Sequence, residues 1–127
     1  GFARKAKSET EVYDSVCKAL KENPDTVLYY ALTSADNRIV VQAVKDMGLQ
    51  NKIRIIATDL NRESAQLLRN GEVCAVINQG AYAKGYAGLS VVVDSVVKHV
   101  APPKRIDCPI DVVLKSNLSL YEQSESL

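Results

Sequence analysis

The chain has almost no charge imbalance. Sixteen basic residues face fifteen acidic ones in 127 positions, a net of +1, so no field is present that would draw the whole molecule to nucleic acid or to an anionic membrane. Any DNA-binding element is expected outside this chain. Cysteine is scarce: Cys17, Cys74 and Cys108 form an odd set at wide spacing without a C-x-x-C pair. That pattern fits neither a disulfide framework nor a zinc site. Each cysteine reads as a small buried hydrophobe, Cys17 among Val12, Val16 and Leu20 at helical spacing and Cys74 in an apolar strand. Unpaired thiols favour a reduced, cytoplasmic setting, and neither a metal nor a cofactor is expected. Long apolar runs are missing too. Val91-Val92-Val93 and Val96-Val97 are interrupted by Asp94 and Ser95, and nothing approaches the roughly 20 apolar residues of a membrane span. The chain is expected to be soluble and to have no membrane partner. No basic segment followed by an apolar stretch and a small-residue cleavage site opens it, although a mature secreted form would lack one as well.

The usual marks of catalysis are also absent. The one histidine, His99, falls at the end of a long helical stretch beside Lys98, where a cation suits the helix dipole. No Gly-x-Gly-x-x-Gly follows a strand, no Gly-Lys-Ser/Thr occurs, and no serine sits in a Gly-x-Ser-x-Gly elbow. A non-enzymatic binding lobe is expected.

What the sequence does contain is alternation. Phe2 to Lys7 reads as a period-two strand. Ser8 with Glu11 forms a capping-box start for a helix through Leu20 to Glu22, stopped before Pro24. Thr26 to Leu32 is a β-branched and aromatic strand, after which Ser34 caps a helix through Met47 that ends at Gly48. Ile53 to Thr58 is a strand, Leu60 or Asn61 opens a helix through Leu68, and Asn70-Gly71 closes it. Val73 to Ile77, a long helix from Tyr82 to Val100 halted by Pro102-Pro103, and a last strand from Ile110 to Leu114 complete the pattern. Strands alternating with helices of this length imply an α/β fold: three α/β/α layers with a mainly parallel sheet covered on both faces. Residues 122–127 read as a disordered tail.

Short polar side chains sit where these strands end: Thr33 and Ser34, Asp59, and Gln79. Open α/β sheets bind ligands at that edge. Taken alone, Asp59 has three readings. It could cap the following helix, accept hydrogen bonds from ligand hydroxyls, or serve as the phosphoacceptor of a receiver domain, which would need an acidic pair beside it to hold magnesium.

Five pieces in order carry a wider pattern. Asp59-Leu60-Asn61, Leu67-Leu68-Arg69-Asn70-Gly71, Ala75-Val76-Ile77-Asn78-Gln79, Gly85-Tyr86, and Pro109 to Asn117 with its Lys115-x-Asn117 element and Tyr121 resemble the carboxy-terminal part of the lac repressor (LacI) family and the related periplasmic sugar-binding proteins. The resemblance covers nearly all of residues 2–121. It implies one lobe of a type I periplasmic-binding-protein-like fold, with Asp59 and Gln79 as contacts to a small-molecule effector of the sugar class. A carboxylate accepts from two hydroxyls while an amide both donates and accepts, which suits a polyol. Thr33 and Ser34 stand where the family has Asn-Asp, and Ala57-Thr58 where Gly followed by an aromatic is common, so the ligand pattern departs from the family's.

The family has two lobes with ligand between them, and on that pattern residues 1–121 look like the carboxy-terminal portion of a ligand-binding domain that lacks the first lobe. The resemblance further implies a transcriptional regulator acting on DNA through a headpiece outside this chain, or alternatively a secreted solute-binding protein of a sugar transporter. The apolar face of the long helix, with Leu89, Val92, Val93, Val96 and Val97, would then need another partner. Self-association as a homodimer through that helix is expected.

Overall fold

A computed structural model describes residues 8–122. The strand expected over Phe2 to Lys7 and the tail beyond Glu122 lie outside the described residues. Four strands form one sheet in the order β1 (Leu28–Tyr30), β2 (Arg54–Thr58), β3 (Ala75–Asn78) and β4 (Asp111–Val113). The first three run parallel and β4 pairs antiparallel with β3. Helix α1 (Glu9–Glu22) leads into β1, α2 (Asn37–Asp46) and α3 (Arg62–Arg69) connect the parallel strands, α4 (Ala81–Val97) leads from β3 towards β4, and α5 (Ser119–Glu122) follows β4.

Local chemistry fixes most boundaries. The Ser8 hydroxyl accepts from the Glu11 amide at 3.2 Å while the Ser8 amide donates to the Glu11 carboxylate at 2.7 Å, which starts α1 where a capping box should. Asn61 and Ser64 make the equivalent pair at the head of α3, each donating its amide to the other's side chain at 2.9 Å. Gly71, at φ 75°, lets the chain leave α3 through the left-handed region that a side chain would resist.

Two expected helix ends move. Ser34 does not cap a helix: residues Ser34–Asp36 form a 3-10 turn and α2 begins only at Asn37. The Thr33 hydroxyl donates to the Asp36 carboxylate at 2.7 Å, and the Asp36 amide to the Thr33 carbonyl at 3.2 Å, so the turn closes on itself. The long helix stops at Val97, and His99 adopts φ 55° beyond it. There the Lys98 and Val100 amides both return to the Asp94 carbonyl, a Schellman-like closure.

Successive strand residues point to two faces. Tyr29, Ile55, Ala57, Val76 and Val113 point to the face covered by α1, α2 and α3, in a core with Val16, Leu20, Val40, Val44 and Leu68. Tyr13, which packs on this core, donates its hydroxyl to Asp46 at 2.9 Å. Ionising that phenol would set two anions side by side, and its pKa is pushed up to about 12. One residue before Asp46, Lys45 pairs with Glu72 and holds that carboxyl below the usual range.

Among the described residues no helix covers the other face of the sheet. Leu28, Tyr30 and Val112 lie on it and are exposed, and Ile56 and Ile77 are only half-buried. Expected helical cover on both faces is therefore found on one among the described residues, because α4 buries none of its residues. Its stripe of Leu89, Val92, Val93, Val96 and Val97 is 44–69% exposed. Cys74 also departs from expectation: it precedes β3, is exposed, and its thiol contacts the Ile55 carbonyl at 3.2 Å. Asn117 closes the turn after β4, accepting from the Leu114 amide at 2.7 Å and donating to the Val112 carbonyl at 3.2 Å. Glu122 anchors α5 to α3 through Arg69 at 2.6 Å.

Candidate functional site

Parallel pairing of β1, β2 and β3 brings their carboxyl ends to one edge. The residue that organises this edge is Asn37, 1% exposed, at the start of α2. Its amide donates to the Thr58 carbonyl at 2.8 Å and accepts from the Thr58 amide at 3.1 Å. Thr58, the last residue of β2, sends its own hydroxyl to the Ala31 carbonyl at 2.6 Å. Three buried bonds thus tie α2 and the end of β1 to a single residue of β2. That explains why a threonine stands at position 58: its hydroxyl joins two strands, a task an aromatic ring cannot perform.

Immediately after this clamp Asp59 turns into the left-handed region at φ 61°. Its amide continues the ladder to the Ile77 carbonyl at 2.9 Å, and its carbonyl accepts from the Ser64 hydroxyl at 2.8 Å. The backbone on either side is therefore pinned, and the side chain is free to face the edge. Of the three readings of Asp59, the helix-cap role belongs to Asn61 instead. A receiver reading calls for a carboxylate partner, whereas the Asp59 carboxylate accepts from the Gln79 amide at 3.3 Å.

Gln79 follows β3 and is half-buried like Asp59. Its amide oxygen accepts from the Lys84 ammonium at 3.1 Å. The orientation of that amide is set by chemistry: a carboxylate only accepts and an ammonium only donates, so nitrogen must face Asp59 and oxygen must face Lys84. The structure thus joins Asp59 and Gln79 directly. Thr33 and Ser34 sit on the same edge after β1, but the Thr33 hydroxyl is engaged by Asp36 and not by Asp59 or Gln79.

Lys84 and Asn37 are the residues that sequence reasoning missed. A signal for Lys84 existed, since a cation in the first turn of a helix opposes the dipole. For Asn37 there was none, because an asparagine three residues past a cap candidate reads as surface. A separate hollow of about 390 Å³ lies between α1 and α2, lined by Glu9, Tyr13, Arg38 and Gln42.

The sequence model of the periplasmic binding protein domain matches residues 4–98. The chain belongs to this family. No curated protein sequence matches it. Among solved structures, a carbohydrate transporter from Acidothermus cellulolyticus in complex with myo-inositol superposes with a TM-score of 0.81 at 22% identity, over 92% of this chain and 41% of that one. A Caulobacter myo-inositol binding protein bound to myo-inositol gives 0.78 at 20% identity, over 89% and 39%. GanP, a glucose-galactose binding protein from Geobacillus stearothermophilus, gives 0.76 at 22%, over 87% and 39%. The chain therefore spans about two fifths of the length of these periplasmic-binding-protein structures, and at such identities the likeness is one of fold. It is one α/β lobe with a mainly parallel sheet.

Backbone strain at Asp59 has a measurable consequence. A side chain in the left-handed region costs roughly 1–2 kcal/mol, while glycine gives back about 0.4–1 kcal/mol through the unfolded state. Asp59→Gly should therefore be as stable as the parent or up to about 1 kcal/mol more stable by urea unfolding. A loss of more than about 1 kcal/mol would mean that the carboxylate serves the fold and not a ligand.

Proposed function

We propose that this chain is the carboxy-terminal part of a sugar- or polyol-binding domain, in which Asp59 and Gln79 hold ligand hydroxyls and Thr33 and Ser34 line the same edge. One observation carries the reading: a half-buried carboxylate and a half-buried amide from neighbouring strands meet at 3.3 Å, with a lone pair and an N–H left to offer. A vicinal diol, which donates through one hydroxyl and accepts through the other, matches that pair. Structural neighbours named for binding myo-inositol, glucose and galactose support the ligand class.

For the output we favour a cytoplasmic transcriptional regulator of the LacI type, in which ligand shifts lobe closure and so the geometry of a DNA-binding headpiece. Support comes from the three unpaired cysteines and the Lys115-x-Asn117-x-x-x-Tyr121 ending. A solute-binding protein of a sugar transporter is the second reading, favoured by the names of the structural neighbours. A headpiece-bearing protein that shifts an operator fragment in a gel supports the first; ligand binding by a secreted form supports the second.

Self-association belongs to the same proposal, with the stripe of Leu89, Val93 and Val97 on α4 as its seam. Light scattering should give a dimer or larger assembly that Val93→Glu with Val97→Glu dissolves, whereas a compact monomer of the unmodified chain contradicts it.

Calorimetry tests the site. In the complete protein, Asp59→Ala should weaken binding of its sugar by about 2–4 kcal/mol because it strips a charged acceptor from buried donors, and Asp59→Asn should cost less. An unchanged dissociation constant for the alanine variant removes Asp59 from the site.

A further inference from the structure

Among the described lysines, the one beside the proposed ligand pair is the one that is half-buried; the others are exposed. Lys18, Lys45 and Lys98 each pair with a carboxylate, Glu22, Glu72 and Asp94 respectively. Lys84 is half-buried, and among the described residues its one partner is the neutral oxygen of the Gln79 amide at 3.1 Å. An ammonium carries three donors and a full charge. Partial burial of that charge against a single neutral acceptor is unfavourable, and so is its place in the first turn of α4. Sequences break two local rules at one position chiefly where a function is served.

We propose that Lys84 determines specificity and makes this edge a site for an acidic polyhydroxy compound, a sugar or polyol bearing a carboxylate or a phosphate. Its hydroxyls would lie on Asp59 and Gln79, and its anionic group on the Lys84 ammonium. The inference rests on the reading of Asp59 and Gln79 as ligand contacts. Geometry supplies the polarity: Asp59 accepts, Lys84 donates, and the Gln79 amide stands between them with its nitrogen towards the first and its oxygen towards the second. A ligand anion at Lys84 is thereby kept apart from the Asp59 carboxylate by a group that bonds to both. A neutral sugar would leave the ammonium bonded only to neutral oxygens, with the Asp59 carboxylate on the far side of the Gln79 amide, and the charge-assisted bond an anion makes there is the stronger one.

The experiment is calorimetry on the full-length protein with matched probes: galactose, galacturonate and galactose phosphate, then myo-inositol and inositol phosphate. At least one acidic probe should bind about tenfold or more tightly than its neutral counterpart. Lys84→Met should erase that preference, Lys84→Arg should retain most of it, and salt should weaken the acidic probe selectively. Galacturonate and galactose phosphate tell a carboxylate from a phosphate. If a neutral probe binds as tightly as the acidic ones, depends on Asp59 and ignores Lys84→Met, the role of Lys84 is overturned and the site stands. If every probe that binds is indifferent to Asp59→Ala, or none binds, the site itself falls and this inference with it.

Discussion

A buried asparagine clamps the end of a strand, and the candidate site depends on it. Asn37 makes two bonds to the backbone of one residue, Thr58, so that its amide acts like an extra peptide unit laid beside β2. Each bond between buried groups contributes about 1 kcal/mol net, but leaving the Thr58 amide and carbonyl without partners would cost about 1–3 kcal/mol apiece. The asymmetry explains why an interior position carries an amide and not an aliphatic chain. With Thr58 also bonded to Ala31, the clamp fixes the exits of β1 and β2 and the entry of α2 at one point.

Downstream of that point the polypeptide does something unfavourable. Asp59 takes up a left-handed conformation, tolerable because its amide and carbonyl are both held by neighbours, Ile77 and Ser64. Strain of this kind persists where surrounding bonds over-determine it and is commonly found at functional sites. Here its effect is directional: the carboxylate meets the Gln79 amide across the β2–β3 boundary, and Lys84 fixes which way that amide faces. Clamp, strained aspartate, oriented amide and the ammonium that orients it form one chain of dependence running from the core to the edge.

Much of this was legible in the sequence, for identifiable reasons. The Ser8–Glu11 box and the exit at Gly71 are local chemistry, readable because the partners lie within a few residues of each other. The strand ends at Thr58 and Ile77 were placed to within a residue by apolar runs and the polar residues that follow. What escaped was non-local or competitive. Ser34 looked like a cap, but Thr33 and Asp36 bonded each other first and turned three residues into a 3-10 step. Asn37 carries no local mark of its partner, which is 21 residues away. Cover for both sheet faces was expected from alternation alone, a rule that counts helices without asking where each one packs; α4 is present and leaves its apolar stripe exposed.

Amide hydrogen exchange in Asn37→Ala tests the clamp most directly. Global destabilisation lowers protection everywhere by one factor, whereas loss of the clamp should act locally. The account requires Thr58 and Asp59 to lose at least about tenfold more protection than Val76 and Ile77 in the adjoining strand, consistent with one unsatisfied buried group or more. If Thr58 and Asp59 exchange no faster than their β3 neighbours in the variant, the edge is held by something other than Asn37, and the central claim is wrong.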